Sequence, residues 1–202
     1  MEALIVSVDE PQLERCLESV RNQTVPFSRI VHINGVVPQH RAISRGIRRT
    51  SDEWVMKIDG DMILYKNAVD TALSYMKDGF STFFFMLYDP FFDGPLYGCK
   101  VYTREVLTHV RHPNMLCNDL YFDKKLRRLG YGVHRTKVTI GTHMEDPDDF
   151  QIFRRFYCVG VKYGRGRGVY SCLNAMFNKT QDDKYQFAMK ALDFGAKETR
   201  YP

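Results

Sequence analysis

Two rhythms of apolar and polar residues alternate along this chain. Leu4-Ile5-Val6-Ser7-Val8 is a short, β-branched apolar run that predicts a buried strand. Pro11, preceded by Asp9 and Glu10, suits a first helical position, and Leu13, Cys16, Leu17 and Val20 recur at helical spacing, so a helix is expected over 11–22. Residues 29–33 predict a second strand closed by Asn34-Gly35. Ala42, Ile43, Gly46 and Ile47 predict a short helix carrying Arg41, Arg45, Arg48 and Arg49. Residues 54–58 predict a third strand with Asp59-Gly60-Asp61 at its end, and 66–77 return to helical periodicity. Farther on, the pattern predicts an aromatic strand over 81–87, a loop over 89–97 and a strand over 97–102. A short helix capped by Thr103 follows, then a helix from Asn118 or Asp119 to Leu129, a strand over 133–140, and helices over 148–163 and 169–193. This βαβαβα start is the pattern of a mostly parallel sheet covered by helices. In such folds ligands sit beyond the carboxyl ends of the strands, where Asp9, Asn34, Asp59 and Asp61 fall.

Composition narrows the class. The 202 residues are 44% hydrophobic and 26% charged, which excludes disorder throughout and collagen-like repeats. No apolar run approaches a membrane span, and Met1-Glu2-Ala3-Leu4 is unlike a signal peptide, so a cytoplasmic protein is expected. Five cysteines without a CxxC pair give no disulfide framework or zinc motif, and reduced, buried thiols are expected. The net charge of +5 is uneven. Residues 1–150 carry 19 basic and 20 acidic side chains, whereas 151–202 carry 10 and 4. The basic end suggests an anionic partner. Two parts are expected: an α/β domain over 1–147 and a helical basic extension over 148–202 packed on it.

Asp59-Gly60-Asp61 carries the chemistry. In an extended segment side chains two apart point the same way, so the two carboxylates should converge, with Gly60 leaving room for a ligand. Converging carboxylates repel unless a cation sits between them. A hard divalent ion, Mn²⁺ or Mg²⁺, suits such oxygens, with phosphates completing its shell.

Several segments together resemble the GT-A fold glycosyltransferases, especially the inverting family-2 type. The opening 16–24, Arg41-Ala42-Ile43-Ser44-Arg45-Gly46-Ile47, the stretch 51–62 around the DxD, 98–107, and Asn118-Asp119 followed by 126–131 match that family's motifs in order over residues 3–145. The resemblance implies an α/β, Rossmann-like mixed sheet flanked by helices. It also implies transfer of a sugar from a nucleotide-diphosphate donor to an acceptor hydroxyl. By the same resemblance Asp59 contacts the ribose or the metal, and Asp61 holds the metal against the diphosphate. Asp119 is the general base, Asp9 and Asn34 line the nucleotide pocket, Arg41 lies near the nucleotide, and His143 supplies a metal-binding imidazole. A base opposite the leaving group suits direct displacement, hence inversion. The chain departs from the pattern where Asn34 runs almost directly into Arg41, since the family usually inserts a further helix and strand there. Asn34 also stands where an aspartate often contacts the base or ribose.

Other residues read more plainly. His32 is a structural strand residue, and His109 and His112 are surface histidines. Phe83-Phe84-Phe85 is core, whereas Tyr88, Phe91 and Phe92 are candidates for stacking on an acceptor. Gly164-Arg165-Gly166-Arg167-Gly168 is a basic loop that could close over a diphosphate. The apolar and basic run after Phe150 either packs against the domain or meets a membrane surface, at the inner face, or a lipid-linked acceptor. The acceptor itself (glycan, lipid-linked sugar or protein) is open. Three rivals remain. A nucleotidyltransferase should carry a glycine-rich signature after the first strand, which Ser7-Val8-Asp9-Glu10-Pro11 lacks. A nucleic-acid-binding protein would act through the basic tail, but no nucleic-acid motif accompanies it. A degenerate scaffold would have no need to retain Asp59, Asp61, Asp119 and His143 together.

Overall fold

The computed structural model describes residues 1–76, 79–114, 118–143, 147–164 and 168–198, with the backbone alone at Asn118, Asp119, Leu120 and Lys162. The chain divides into two compact units, Met1–Glu145 and Asp146–Pro202.

The first unit is built on one seven-stranded sheet in the order β2-β1-β3-β6-β5-β7-β4. β1 (Glu2–Ser7) lies between β2 (Ile30–Asn34) and β3 (Trp54–Asp59), parallel to both. β6 (Gly94–Thr103) runs antiparallel to β3 and to β5 (Thr82–Asp89), and β5 runs parallel to β7 (Val133–His143). β4 (Met62–Leu64) is a three-residue strand at the edge, antiparallel to β7. Helices α1 (Leu13–Arg21), α2 (Gln39–Ile47), α3 (Ala68–Tyr75), α4 (Arg104–His109) and α5 (Asn118–Arg128) connect them.

Strand alternation divides the core into two layers, because successive side chains point to opposite faces. Ala3, Ile5, Met56, Ile58, Phe83, Phe85 and Val101 bury one face with Cys16, Leu17 and Val20 of α1 and Ala68, Val69 and Ala72 of α3. Leu4, Val6, Val31, Ile33, Val55 and Tyr102 bury the other with Ala42, Ile43 and Ile47 of α2, Val106 and Leu107 of α4, and Phe122 and Leu126 of α5. Both layers are unbroken across β1 and β3, which fixes the register of those strands: a one-residue slip would turn each apolar set to the wrong side.

The pattern departs from the structure in three places. The expected loop over 89–97 is a hairpin in which Asp89 pairs with Gly94, so β5 and β6 extend nearly to its tip. β4 is too short to leave a periodic signature. The expected helix over 169–193 is two helices, α7 (Val169–Thr180) and α8 (Asp183–Lys197), separated where Gln181 turns left-handed at φ 56°. The cap predicted at Thr103 is present, its hydroxyl accepting from the Val106 amide.

In the second unit, α6 (Asp149–Tyr163) begins at a capping box between Asp148 and Gln151. It meets α8 at a glycine crossing. A Cβ on Gly160 would lie 2.2 Å from the Leu192 carbonyl oxygen, and one on Gly195 2.0 Å from that of Tyr157. Backbone touches backbone there. No helix among the described residues is long and apolar enough to cross a membrane.

This crossing is a testable determinant of stability. Alanine is the better helix former by about 1 kcal/mol, but the facing carbonyl cannot move aside as a side chain would, and overpacking costs about 1–3 kcal/mol. Gly160→Ala should therefore lower stability by about 1–2 kcal/mol net, read as a lower urea midpoint by helical circular dichroism. An unchanged midpoint would show that the helices can separate freely.

Candidate functional site

The DxD residues form the connection between β3 and β4 and turn to different partners. Lys57 and Asp59, two apart on β3, share a face. The buried Lys57 ammonium lies 2.6 Å from Asp59 Oδ2, and Gln39 of α2 donates to Asp59 Oδ1 at 3.0 Å. The space expected at Gly60 is filled, since a Cβ there would lie 2.5 Å from Glu10 Oε2 and 2.8 Å from Ser7 Cβ. The two-residue alternation behind that expectation stops at Asp59, where the strand ends.

Asp61 meets the ends of different strands. β4 pairs Met62 with His143, and β5 pairs Tyr88 with Thr142, so the next residues along, Asp61 and Asp89, flank the same histidine. His143 Nδ1 lies 3.1 Å from Oδ2 of the fully buried Asp89, and Nε2 lies 3.6 Å from Asp61 Oδ2. The longer distance exceeds a hydrogen bond. Oδ1 of Asp61 is closed off from solvent and accepts no hydrogen bond among the described residues.

Negative charge is concentrated around this turn. Glu10, whose Oε2 accepts from the Val8 amide at 2.9 Å, has its carboxyl pKa raised, first by burial and also by the neighbouring Asp61 and Asp59; bonds from backbone amides oppose this. The Cys16 thiol is pushed up to about 12, by burial first and then by Asp61, Asp59 and Glu10. An orphaned buried carboxylate oxygen beside an imidazole, in a field that disfavours further negative charge, fits a divalent cation. The 3.6 Å between Asp61 Oδ2 and His143 Nε2 suits two neighbouring ligands of one ion, since ligands at about 2.1 Å in an octahedron lie about 3 Å apart. Among the described residues no group of three or more His, Cys, Asp or Glu could hold a metal ion by itself. A cation here would take the rest of its shell from elsewhere.

At the neighbouring strand ends a chain of hydrogen bonds crosses from β2 to the loop after β1. His32 Nε2 lies 2.7 Å from Ser7 Oγ, the Ser7 hydroxyl donates to Asn34 Oδ1 at 2.8 Å, and Asn34 Nδ2 donates to Asp9 Oδ1 at 2.7 Å. Asp9 is exposed and left-handed at φ 63°, a conformation unfavourable for a residue with a side chain and held here by that bond. β1 has β2 on one side and β3 on the other, so this loop lies at a topological switch point of the parallel strands. His32 is half-buried, with its pKa lowered, by burial first and then by Arg21.

The remaining sequence-based candidates fall differently. Arg41 is exposed on α2, and no hydrogen bond or ion pair among the described residues ties it to the acidic cluster. Asp119 lies in the first turn of α5, its side chain outside the described residues, as are Arg165, Gly166 and Arg167 of the basic loop. Phe91 is buried rather than presented for stacking, because the hairpin folds it inward. His112 is also buried, stacked on Phe122 at 3.7 Å. Cys16 and Cys99 are buried thiols as expected, whereas Cys172 is exposed.

Four residues of this region escaped the sequence analysis: Ser7, Glu10, Lys57 and Asp89. Lys57 carried a usable signal, a charge inside an apolar strand two residues before an aspartate. Asp89 carried none, since its role depends on the β5–β7 pairing.

No family model matches the chain, and no curated protein matches it by sequence. Solved structures do match. A mannosyltransferase from Pyrobaculum calidifontis, in complex with GDP-Man and Mn²⁺, superposes with a TM-score of 0.61 at 11% identity, covering 100% of this chain and 76% of that one. Two structures of glucosyl-3-phosphoglycerate synthase from Mycobacterium tuberculosis, each 14% identical, cover 79% of this chain. One, with Mn²⁺, UDP and phosphoglyceric acid, gives a TM-score of 0.54 over 77% of its own length; the other, with phosphoglyceric acid, gives 0.56 over 78%. The likeness is one of fold, and the fold is the GT-A fold.

Two outcomes follow from the acidic turn. A carboxyl whose folded pKa is raised is penalised in its ionised form, so the protein loses that contribution as pH rises through the folded value. Glu10→Gln should raise the melting temperature of the metal-free protein at pH 7, and the gain should vanish below the ordinary carboxylate range. A pH-independent gain would mean that charge is not its cause. Asp59→Asn removes the carboxylate from a buried ammonium and should cost about 3 kcal/mol in urea unfolding. Lys57→Met should cost less, because Asp59 keeps Gln39 and some solvent; the reverse order would mean that the aspartate is the more dependent partner.

Proposed function

We propose that this chain is a metal-dependent glycosyltransferase that moves a sugar from a nucleoside-diphosphate donor to an acceptor hydroxyl, with inversion at the anomeric carbon. The observation that carries the reading is the buried Oδ1 of Asp61, which accepts no hydrogen bond among the described residues, beside His143, on a fold shared with sugar-nucleotide transferases. Asp61 and His143 would hold Mn²⁺ or Mg²⁺, with diphosphate oxygens filling the open positions. When bound, the metal supplies Lewis-acid stabilisation to the departing nucleoside diphosphate.

The chain's own residues do the rest. Asp59, fixed by Lys57 and Gln39, presents a positioned carboxylate at the β3 end for the ribose or for the metal's shell. Asp9 and Asn34, held by Ser7 and His32, line the nucleoside side of the switch point. Arg41, exposed on α2, is assigned to the donor's phosphates. Asp119, at the start of α5, is the base that takes the acceptor's proton. The acceptor class is open between glycan, lipid-linked sugar and protein, with the cytoplasm as the expected compartment.

Melting of the protein with UDP, GDP, CDP, dTDP and ADP, each with and without Mn²⁺, tests this reading. A ligand that binds only the folded state raises the melting temperature. One diphosphate should give a shift that needs Mn²⁺, and Asp61→Asn should abolish it. Asp119→Asn should keep that shift while losing transfer of the matching sugar, since a base acts mainly in the transition state. Absence of a metal-dependent shift with every nucleotide would sink the transferase reading in favour of a scaffold.

A further inference from the structure

We infer that Asp89 is a positioning residue for the metal: it fixes the His143 ring so that Nε2 presents its lone pair toward Asp61. The inference rests on His143 being a metal ligand, and the residue it concerns is 54 positions away in sequence, at the end of a different strand.

An imidazole binds a metal only through an unprotonated nitrogen, and the hydrogen bond at its other nitrogen decides which one that is. Asp89 is fully buried, and both of its carboxylate oxygens are engaged. Its Oδ1 accepts from the Phe91 amide at 3.0 Å, which ties the carboxylate to the β5–β6 turn and removes its freedom to rotate. Its Oδ2 faces His143 Nδ1 at 3.1 Å. With Asp89 ionised and the ring neutral, Oδ2 can only accept, which places the ring proton on Nδ1 and the lone pair on Nε2. Asp61 Oδ2 lies 3.6 Å from Nε2. Two lone-pair-bearing atoms at that separation repel each other, and a cation between them reverses the sign. The turn between β5 and β6 therefore sets the coordination geometry of a group on β7, and carboxylate partners of this kind raise ligand basicity and metal affinity.

The first test needs neither metal nor variant. Long-range ¹H–¹⁵N correlation of the metal-free protein, at a pH where His143 is neutral, should show the Nδ1–H tautomer. The Nε2–H tautomer would overturn the inference whether or not the protein is a transferase. The second test measures Mn²⁺ affinity by the electron paramagnetic resonance of free Mn²⁺, in the presence of the nucleoside diphosphate that binds the wild type. Asp89→Asn should weaken Mn²⁺ binding roughly 10- to 100-fold. In a His143→Gln background the same change should add nothing, because it acts through the ring. A folded Asp89→Asn protein that holds Mn²⁺ within about threefold of wild type, or equal losses in both backgrounds, would overturn the positioning role. If wild type itself holds no Mn²⁺, the transferase reading fails, and the tautomer still decides what Asp89 does to the ring. Should Asp89→Asn fail to fold, the tautomer measurement again decides.

Discussion

Strands β3 and β4 are joined by two residues yet lie four places apart in the sheet. Three Cα steps reach at most about 11 Å, whereas four neighbouring strands laid flat would span about 19 Å. The sheet must therefore curl until its far edge returns to the end of β3, and Gly60-Asp61 is the stitch that closes it. That closure sets Asp61 against His143 and places the acidic turn beside the loop after β1. Gly60 is required because the stitch passes against Ser7 and Glu10, with no room for a side chain.

Around that closure charge is arranged with little slack. On one face, Asp59 is held by a buried ammonium and an amide. Asp61 has a histidine at the edge of reach and an oxygen that accepts no hydrogen bond among the described residues. Glu10 adds a carboxyl whose own ionisation is disfavoured. The two aspartates of one tripeptide thus have unlike surroundings, one engaged by an ammonium and an amide and one left with an oxygen that no described group satisfies. Desolvated negative charge of this kind persists in a fold when a cation relieves it.

Much of the architecture was legible because it is written in local periodicity. β1, β2, β3 and the first two helices follow from alternating and helical spacings, and the layered core follows from the same residues. The DxD and its position at a strand end were readable too, as was the ordered set of motifs. What escaped depends on pairing between distant segments. β4 has three residues and no period, and Asp89 and His143 meet only through the β5–β7 register. Glu10 read as a helix-preceding acid because its approach to Gly60 is a tertiary fact. The break at Gln181 lay hidden inside an amphipathic pattern that runs through both flanking helices. Phe91 and His112 were misjudged for one reason: a polar or turn-rich neighbourhood suggests surface, while the hairpin and the Phe122 stack bury them.

The stitch at Gly60-Asp61 also imposes an order of assembly. β4 has a single strand to pair with, β7, which is synthesised about 80 residues later. During synthesis the DxD emerges early and has nothing to close against. Pairings of such long sequence separation form late in folding, after the loop-closure entropy between them has been overcome. A nascent chain can lay β1, β2 and β3 side by side with their helices and still hold an unstitched turn. Only when His143 clears the ribosome do the three groups at the far edge come into register. The site is therefore a report of completion, present in the finished sheet and missing from every shorter stage of it.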